Sequence, residues 1–445
     1  MGEALVSKLS PARRAALEAL VAADRDGAYV REVLRDAARM RALDARDRGL
    51  ALRLALGATA ASGTLDEALD RYLSRPKRVA PRVRWALRIA AFELLYLGTS
   101  PEVAVSQGVE LVRSCARSAS GLANAVLRRV ADGRASFLAA DDVDASLLDE
   151  VRLARRGGLP QWLVHAVREA SGDAAASGLV ACEFEPAPIA VCLNPRVEEI
   201  AGIGGHAVDG IPGCVADVDG PALLASGALA HGDAVVSDVS AQRVAAAAVR
   251  PGSCLEIGAG RGTKTFMIAA GAVRANLTRE HVAVELSAGK CAANRARLEA
   301  AGLAAGVRIV AGDGCELESV LAPLDAEAGE CRRFDTVLID APCSGTGTMR
   351  RHPEIPWRLE ADDALRVLPE LQVSLLAAAA NRVAAGGVLI YATCSVLASE
   401  NERVIEAFLA TDAGRRFSAV ESACQTMPAP GAYDGHFMAI MQAGA

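Results

Sequence analysis

Two cysteines in this chain each stand in a short motif that follows an apolar run. Cys343 lies in Asp340-Ala341-Pro342-Cys343-Ser344, and Cys394 lies 51 residues later in Tyr391-Ala392-Thr393-Cys394-Ser395. A cysteine thiolate is a strong nucleophile and can form a covalent intermediate. A lone cysteine is more often a small buried apolar residue. Two cysteines in such similar settings favour a chemical role, in which at least one attacks a substrate.

One reaction that needs such a thiolate is the methylation of carbon 5 of a cytosine. Carbon 5 is a poor nucleophile until a thiolate adds to carbon 6 and makes carbon 5 enamine-like, able to attack a sulfonium methyl group. An acid must offset the charge that develops near nitrogen 3, and Asp340 is the candidate. Methyltransferases of exocyclic amines need no thiol and carry Asp/Asn-Pro-Pro-Tyr/Phe, so Asp-Ala-Pro-Cys disfavours that class.

A glycine-rich loop precedes a predicted helix and follows a predicted strand. It reads Gly258-Ala259-Gly260-Arg261-Gly262-Thr263-Lys264. Glycines allow the backbone to turn tightly and to approach a ligand closely. The spacing matches neither the dinucleotide fingerprint nor the Walker pattern of nucleoside triphosphatases. The commonest nucleotide-like ligand of such a loop is S-adenosylmethionine, which we expect here, with a tight structural turn as the alternative.

Three acidic residues strengthen the prediction of a cofactor site. Glu285, Asp313 and Asp340 stand at or just beyond the ends of three further predicted strands. A carboxylate at such a position can accept the two hydroxyls of a ribose, as we expect for Glu285, and Asp313 is placed to accept from an adenine amino group. Ligands of open α/β sheets bind beyond the carboxyl ends of the strands. Four consecutive strand ends with these residues therefore predict one site.

The elements that must position these residues alternate between strands and helices from about residue 236. The predicted strands are Ser253–Gly258, His281–Glu285, Val307–Val310, Phe334–Asp340 and Gly387–Thr393, and the predicted helices are Thr263–Ala270, Ala288–Ala301, Asp363–Ala384 and Ser399–Leu409. Apolar runs separated by helices are typical of buried parallel strands. The pattern predicts a doubly wound, Rossmann-like α/β domain.

The rest of the chain is organised differently. Residues 6–135 show apolar spacings of three and four, which indicates helices throughout. We predict three parts: a helical domain over 1–138, a linker and small α/β segment over 139–235, and the catalytic domain over 236–445. The linker part includes a helix around Trp162 to Ser171 and a strand around Ile189 to Leu193.

Charge is divided unevenly along the chain. The net charge is −6, yet residues 1–134 hold 23 Lys and Arg against 15 Asp and Glu. The densest basic stretch contains Arg75, Lys77, Arg78, Arg82, Arg84 and Arg88. A basic part joined to an acidic one suggests contact with a polyanion. Arginine-rich solvated helix faces are the alternative, and charge alone does not separate the two.

Several classes of protein are disfavoured by composition. Just over half the residues are apolar, which argues against a disordered chain. We see no signal-peptide pattern in Met1 to Ser10 and no stretch long and apolar enough to span a membrane. The eleven cysteines lack metal-site spacing, and their odd number fits a disulfide scaffold poorly. We expect a cytoplasmic enzyme with reduced thiols, no metal ion, and a monomeric state.

The two cysteine motifs resemble those of a known family. DAPCSGTGTMRRHPEI-W from Asp340 and YATCSVLASENE from Tyr391 resemble the signatures of RNA cytosine-5 methyltransferases of the NOL/NOP/Sun family. SDVSAQ from Ser237 and GHFMA from Gly435 extend the likeness. The helical part is similar to the antitermination factor NusB in ARDRGLALRLALG, VRWALRIAAFELLYL and SGLANAVLRR. The likeness covers nearly the whole chain, most weakly between 136 and 235.

This resemblance implies a role for each candidate residue. Cys394 would attack carbon 6, and Cys343 would assist release of the enzyme from the methylated base. The loop from Gly258 to Lys264, with Glu285, Asp313 and Asp340, would bind S-adenosylmethionine in a class I methyltransferase fold. The implied substrate is a cytosine in small-subunit (16S) ribosomal RNA and not in DNA. The candidate RNA contacts are Lys264, Arg350, Arg351 and His352.

The chain departs from the family in its cofactor loop. The usual loop is Ala-Ala-Pro-Gly-Gly-Lys-Thr; here Arg261 replaces the proline and Thr263 replaces a glycine, while Gly262 and Lys264 keep their places. The usual aspartate of the second strand is Glu285. This altered loop favours one alternative, a non-catalytic RNA-binding or assembly factor on a retired methyltransferase fold. A nicotinamide-dependent dehydrogenase is the third hypothesis, disfavoured by the glycine spacing and the paired cysteines.

Overall fold

The computed structural model of the chain describes residues 9–36, 38–144 and 147–444. The chain forms two compact units. The helical unit comprises Met1–Glu185 together with Met349–Leu359, and the α/β unit comprises Pro186–Thr348 and Glu360–Ala445. The helical unit thus takes in eleven residues from the second half of the sequence. The predicted divisions near 138 and 235 stay predictions.

The helical unit is built from helices alone within its described residues. They are α1 (Pro11–Asp26), α2 (Val30–Asp36), α3 (Ala38–Arg41), α4 (Ala45–Ala60), α5 (Ser62–Asp70), α6 (Pro81–Leu95), α7 (Pro101–Cys115), α8 (Ser120–Asp132), α9 (Arg134–Ala139), α10 (Leu148–Gly157), α11 (Gln161–Cys182) and α17 (Ile355–Arg358), with 3-10 turns at Pro76–Arg78 and Arg117–Ala119. The predicted helix at 162–171 is the first half of α11, which is interrupted at Gly172 by a φ of +83°.

Local sequence explains where several of these helices begin. Proline occupies the first helical position of α1, α6 and α7, where its missing N–H costs nothing and its fixed φ suits a helix. The Asp44 side chain caps α4 by accepting from the backbone N–H of Asp47. The apolar faces meet in one core, in which Leu17, Leu54 and Leu87 are each at most 1% exposed.

The α/β unit carries the rest of the elements. Its strands are β1 (Val191–Leu193), β2 (His206–Ala207), β3 (Cys214–Ala216), β4 (Ala234–Val236), β5 (Cys254–Ile257), β6 (His281–Glu285), β7 (Val307–Ala311), β8 (Phe334–Asp340), β9 (Val383–Thr393), β10 (Phe417–Thr426) and β11 (His436–Ala443). Its helices are α12 (Gly220–Ala225), α13 (Val239–Ala247), α14 (Thr263–Arg274), α15 (Ala288–Ala301), α16 (Leu317–Ala328), α18 (Leu368–Ala380) and α19 (Glu402–Leu409), with shorter turns at Thr346–Thr348, Asp363–Val367 and Gly414–Arg416.

A seven-stranded sheet organises this unit, in the order β10-β11-β9-β8-β5-β6-β7. Strands β5 to β9 are parallel, whereas β11 runs antiparallel to both of its neighbours, β9 and β10, at one edge of the sheet. Side chains alternate between the two faces of the sheet: Val337 and Ile339 lie in one apolar core and Leu338 in the other. Strand order reverses between β5 and β8, and ligands of such sheets bind at this switch point.

The predicted mostly parallel α/β fold is confirmed, although several elements have other bounds than predicted. Helix α14 ends at Arg274 and not at Ala270, α19 begins at Glu402 and not at Ser399, and β9 begins at Val383 and not at Gly387. The helix predicted over 363–384 is a π-helical turn at Asp363–Val367 followed by α18, which ends at Ala380. Its last residues belong to β9 instead, because Val383 pairs with Phe334 of β8. Strands β10 and β11 and helix α16 were not predicted. A smaller antiparallel sheet, ordered β2-β3-β1-β4, precedes the large one. No helix in the described parts of the chain is long and apolar enough to cross a membrane.

Candidate active site

The two motif cysteines meet because their strands are neighbours. Strands β8 and β9 are parallel, with Asp340 paired to Ala392, so the loops that follow them leave the same edge of the sheet. The Sγ atoms of Cys343 and Cys394 lie 3.3 Å apart, and the backbone N–H of Cys394 lies 3.4 Å from the Cys343 sulfur. The prediction that both cysteines lie just past a strand end therefore agrees with their observed positions.

The pair is electrostatically unequal. A hydrogen bond from the Cys343 thiol lowers the pKa of Cys394, which burial and the Asp340 charge raise and the nearby Lys264 ammonium lowers further. The same hydrogen bond, together with burial, raises the pKa of Cys343 well above its ordinary value. Cys394 is therefore the thiol that ionises first, and Cys343 is the one that keeps its proton.

Glu400 joins the two cysteine motifs. This carboxylate is fully buried. Its Oε1 accepts from the backbone N–H of Ser344 at 2.7 Å and from Gln372 at 3.1 Å, and its Oε2 accepts from the hydroxyls of Ser344 and of Ser395, the latter at 2.5 Å. Thr346 completes the cluster, since its hydroxyl lies 3.1 Å from that of Ser395. Glu400 thereby accepts hydrogen bonds from the residues that directly follow both cysteines, Ser344 and Ser395.

Lys264 and Asp340 form an ion pair beside the thiols. The Lys264 Nζ lies 2.8 Å from Oδ2 of Asp340, with side-chain exposures of 14% and 31%. Burial opposes the charge of Lys264, yet the Asp340 carboxylate holds the pKa of Lys264 above its ordinary value. Lys264 comes from the first turn of α14 and Asp340 from the end of β8. The helix that follows β5 thus supplies Lys264 and the end of β8 supplies Asp340, one on each side of the switch point.

The glycine loop after β5 has the backbone geometry that a close ligand needs. Gly258, Gly260 and Gly262 have φ values of +80°, +57° and +83°. A Cβ at Gly258 would lie 2.3 Å from the Asp340 carbonyl oxygen, and one at Gly262 would lie 2.0 Å from Oδ1 of Asn294. Only glycine tolerates both the conformation and the contacts. The loop with its altered sequence therefore makes a tight turn that depends on its glycines.

Glu285 ties this loop to the neighbouring strand end. Its Oε2 accepts from the backbone N–H of Gly260 and its Oε1 from that of Ser287, both at 2.9 Å. The next residue, Leu286, is 72% exposed. The Glu285 carboxylate and the turned loop lie side by side, which suits the polar groups of S-adenosylmethionine, and the individual contacts stay predictions.

The other predicted cofactor residues take less central positions. Asp313 follows β7 and accepts from the backbone N–H of Cys315 at 2.8 Å. Ala259 is buried and Arg261 is exposed. Thr263 begins α14 and its hydroxyl accepts from Arg297 at 3.2 Å. All predicted strand-end acids and the loop thus belong to the α/β unit, at the ends of β5 to β8. Their roles as cofactor contacts stay predictions.

The predicted RNA contacts after Cys343 lie in the helical unit. Arg350 is only 6% exposed, and the backbone carbonyls of Arg350 and Arg351 accept from the guanidinium of Arg31 at 2.9 and 2.6 Å. His352 is exposed, with its ring centroid 6.4 Å from that of Tyr29. This part of the motif is therefore integrated into the helical fold, and its role in RNA contact stays a prediction.

Two residues near the thiols were not assigned a role from sequence. In the sequence Glu400 appears only as an acidic residue of a motif, and its neighbours in the chain do not indicate that it is buried. His436, in GHFMA, is 7% exposed, and none of the described residues hydrogen-bonds to its Nδ1. Burial and the charge of Lys264 lower the pKa of His436, so its ring is neutral at neutral pH. Among described residues no cluster of three or more His, Cys, Asp or Glu could hold a metal ion.

Comparison with known proteins identifies the class that this fold and site define. Residues 247–442 match the family described as 16S rRNA methyltransferase RsmB/F, and residues 10–132 match the NusB family. The ribosomal RNA small subunit methyltransferase B of Thermus thermophilus is 35% identical over 367 residues, covering 82% of this chain and 79% of that protein. The probable ribosomal RNA small subunit methyltransferase B of Bacillus subtilis is 30% identical over 425 residues, covering 90% and 89%.

A solved structure supports the fold over the full length. The crystal structure of PH0851 matches with a TM-score of 0.75 at 19% identity, covering 98% of this chain and 99% of that one. The chain belongs to the RsmB/F family and carries a NusB domain at its N-terminus. It is an S-adenosylmethionine-dependent methyltransferase of ribosomal RNA. The predicted family, enzyme class and cofactor are confirmed, and the dehydrogenase hypothesis is set aside.

Proposed function

We propose that this enzyme methylates carbon 5 of a cytosine in 16S ribosomal RNA through a covalent adduct with Cys394. The observation that carries the proposal is the 3.3 Å approach of the Cys343 and Cys394 sulfurs, in which the Cys394 pKa is lowered. A thiolate poised beside a protonated thiol suits a reaction that adds a nucleophile to a ring and later removes it. The named relatives methylate ribosomal RNA, which supports RNA as the substrate.

The chemistry would begin with Cys394. Its thiolate forms a bond to carbon 6 of an unstacked cytosine, and the electron pair of the 5,6 double bond moves toward carbon 5 and nitrogen 3. The ion pair of Asp340 with Lys264 carries the proton that would offset the charge near nitrogen 3. S-adenosylmethionine, when bound, would supply the methyl group to carbon 5, and the bond between that methyl group and the sulfonium sulfur would break with its electron pair staying on the sulfur.

Release would restore the ring and the enzyme. A base removes the proton from carbon 5, the electron pair re-forms the 5,6 double bond, and the carbon 6–sulfur bond breaks with the pair leaving on Cys394. Cys343 assists this step because its thiol, 3.3 Å away, can donate to the departing thiolate. The cofactor contacts are assigned to the loop from Gly258 to Lys264 and to Glu285, Asp313 and Asp340.

The helical part would supply affinity for RNA. Arg75, Lys77 and Arg78 are exposed, whereas Arg84 and Arg88 are paired with Asp66. We therefore assign phosphate contacts to the exposed members of the basic stretch, within a domain of residues 1–138. Residues 139–235 would form the linker and small α/β segment, and 236–445 the catalytic domain. A monomeric state, selection of RNA over DNA and a cytoplasmic location stay predictions.

The test uses unmodified 16S ribosomal RNA and methyl-labelled S-adenosylmethionine. We expect label on cytosine 5 from the native enzyme, none from Cys394→Ala, and a protein–RNA adduct on a denaturing gel from Cys343→Ala. Cys424→Ala, at an exposed cysteine of β10, is the matched control and should behave as native. Full activity of Cys394→Ala, or label on an exocyclic amine, would overturn the proposal.

A further inference from the structure

The segment Met349–Leu359, here called the clamped segment, belongs to the helical unit although it begins six residues after Cys343. Only Ser344–Thr348 separate the two, and this connection spans at most about 20 Å when fully extended. The chain before and after the clamped segment belongs to the α/β unit. The helical unit therefore holds a part of the chain that is directly continuous with a catalytic loop.

The helical unit binds the clamped segment through buried, directional contacts. Glu354 is 5% exposed, and its Oε1 accepts from the backbone N–H of Val30, the first residue of α2, at 2.7 Å. The indole N–H of Trp357 lies 2.8 Å from the carbonyl oxygen of Ala60 and 2.9 Å from that of Gly158. Three separate places in the helical fold thus contact two side chains of the segment. Such contacts fix both the position and the orientation of the segment.

Close packing adds to these hydrogen bonds. A Cβ at Gly63, near the start of α5, would lie 2.1 Å from two carbons of the Trp357 ring. Real Cβ contacts of that length do not occur, so the helix can carry only glycine there unless the ring moves. Arg31 binds the carbonyls of Arg350 and Arg351, and Arg358 donates to the Ala28 carbonyl at 3.3 Å. The clamped segment is therefore held along its whole length.

Both ends of the clamped segment lead back to Cys343. On the near side, the backbone N–H of Gly347 donates to the Cys394 carbonyl at 2.9 Å, so the short connection is already tied to the second cysteine loop. On the far side the chain reaches α18, where the Gln372 amide donates to the Pro342 carbonyl at 2.9 Å. Two continuous stretches of chain therefore join the clamped segment to the surroundings of Cys343.

We propose that the helical unit, through its hold on Met349–Leu359, positions Cys343 and thereby sets the rate at which methylated RNA is released. This inference rests on the proposed function, and specifically on the release role of Cys343. Glu354 and Trp357 are positioning residues in this account, because they act through the chain that bears Cys343. The cofactor loop is not attached to the clamped segment, so cofactor binding depends on it much less.

The experiment perturbs the contact from the helical side. Gly63→Ala forces the Trp357 ring to move, and Gly49→Ala is its matched control, because a Cβ at Gly49 in α4 meets nothing within 4 Å. Loss of accurate placement costs a catalytic step about tenfold or more. We expect Gly63→Ala to lower multiple-turnover methylation by about tenfold and to raise several-fold the protein trapped as an RNA adduct. S-adenosylmethionine affinity should change by less than about threefold.

A second pair of variants guards against misfolding. Glu354→Gln keeps a carbonyl oxygen that can accept from Val30, whereas Glu354→Ala removes it. We expect accumulation of adduct in the alanine variant and near-native behaviour in the glutamine variant. Tryptophan emission reports whether the Trp357 environment has changed in Gly63→Ala. A changed emission with native turnover and native adduct levels would overturn the inference, as would a parallel loss of first-turnover transfer and stability without adduct.

Different results would contradict the proposed function and the positioning role of the helical unit. If the native enzyme forms no adduct and places no label on cytosine 5, the proposed function itself is wrong. If the native enzyme and Cys343→Ala behave as proposed but Gly63→Ala and Glu354→Ala match the native enzyme, only the positioning role is wrong.

Discussion

Cys343 faces Cys394 across 3.3 Å, and the first thiol stabilises the second as a thiolate. Cys343 therefore has two roles. A proton on the Cys343 sulfur favours the charged form of Cys394 before attack, and the same proton is near the departing sulfur during release. Because the two uses fall at different steps of the reaction, they can be separated by experiment.

The first prediction concerns the pH dependence of attack. The pKa of Cys394 is lowered chiefly by the hydrogen bond from Cys343, so Cys343→Ala should raise it. The rising limb of the pH–rate profile for single-turnover adduct formation should then move to higher pH. Cys343→Ser keeps a hydroxyl donor and should lie between the two. Superimposable profiles for the native and alanine enzymes would show that Cys343 does not tune Cys394.

The ion pair of Lys264 and Asp340 gives a second prediction, in which thiol ionisation and catalysis change in opposite directions. The Asp340 charge raises the pKa of Cys394 and that of Lys264 lowers it. Asp340→Asn should therefore let Cys394 be alkylated at lower pH, yet methylation should fall about a hundredfold or more because the group near nitrogen 3 is lost. Lys264→Met should shift alkylation to higher pH.

Mass spectrometry of the Cys394 peptide after brief iodoacetamide treatment measures this ionisation directly, and circular dichroism checks the fold of both variants. The same direction of shift in both would contradict the electrostatic account.

A third prediction concerns Glu400, the buried acceptor between the cysteine motifs. Burial raises the pKa of Glu400, and its hydrogen bonds from Ser344 and Ser395 oppose that effect. Glu400→Ala would leave these donors buried without an acceptor, which costs about 3 kcal/mol or more. We expect this loss in urea unfolding, together with loss of adduct formation. Glu406→Ala, on the exposed face of α19, should change the free energy of unfolding by less than about 0.5 kcal/mol.

The cofactor loop gives a fourth prediction. Gly262 combines a φ of +83° with a Cβ position 2.0 Å from the Asn294 amide oxygen. Gly262→Ala should weaken S-adenosylmethionine binding about fivefold to a hundredfold, because the strained loop must rearrange at a cost of about 1–3 kcal/mol. Gly289→Ala, where the nearest atom lies 3.9 Å from the added Cβ, is the control. Calorimetry measures the affinity of each variant for S-adenosylmethionine, and equal affinities would contradict the prediction.

Much of the catalytic half followed from sequence because parallel sheets obey a simple rule. Strands β6 and β8 have the bounds that were predicted for them. Since all parallel strands end at one edge, Glu285, Asp340 and the two cysteines were expected together before any distance was known. The prediction of a helix over 363–384 was wrong at its C-terminal end. The helix propensity of the alanines there was overridden by the pairing of Val383 with Phe334.

The sequence by itself determined the family, the cofactor, the parallel sheet and which cysteines and acids stand at its edge, because these depend on motifs and on the periodicity of short elements. Only the tertiary structure decided which partners those residues have. Burial made Glu400 the acceptor shared by both motifs, ion pairs with Asp66 neutralised part of the basic stretch, and packing around Trp357 assigned Met349–Leu359 to the helical unit. Each of these joins residues far apart in the chain, and no local pattern encodes such contacts.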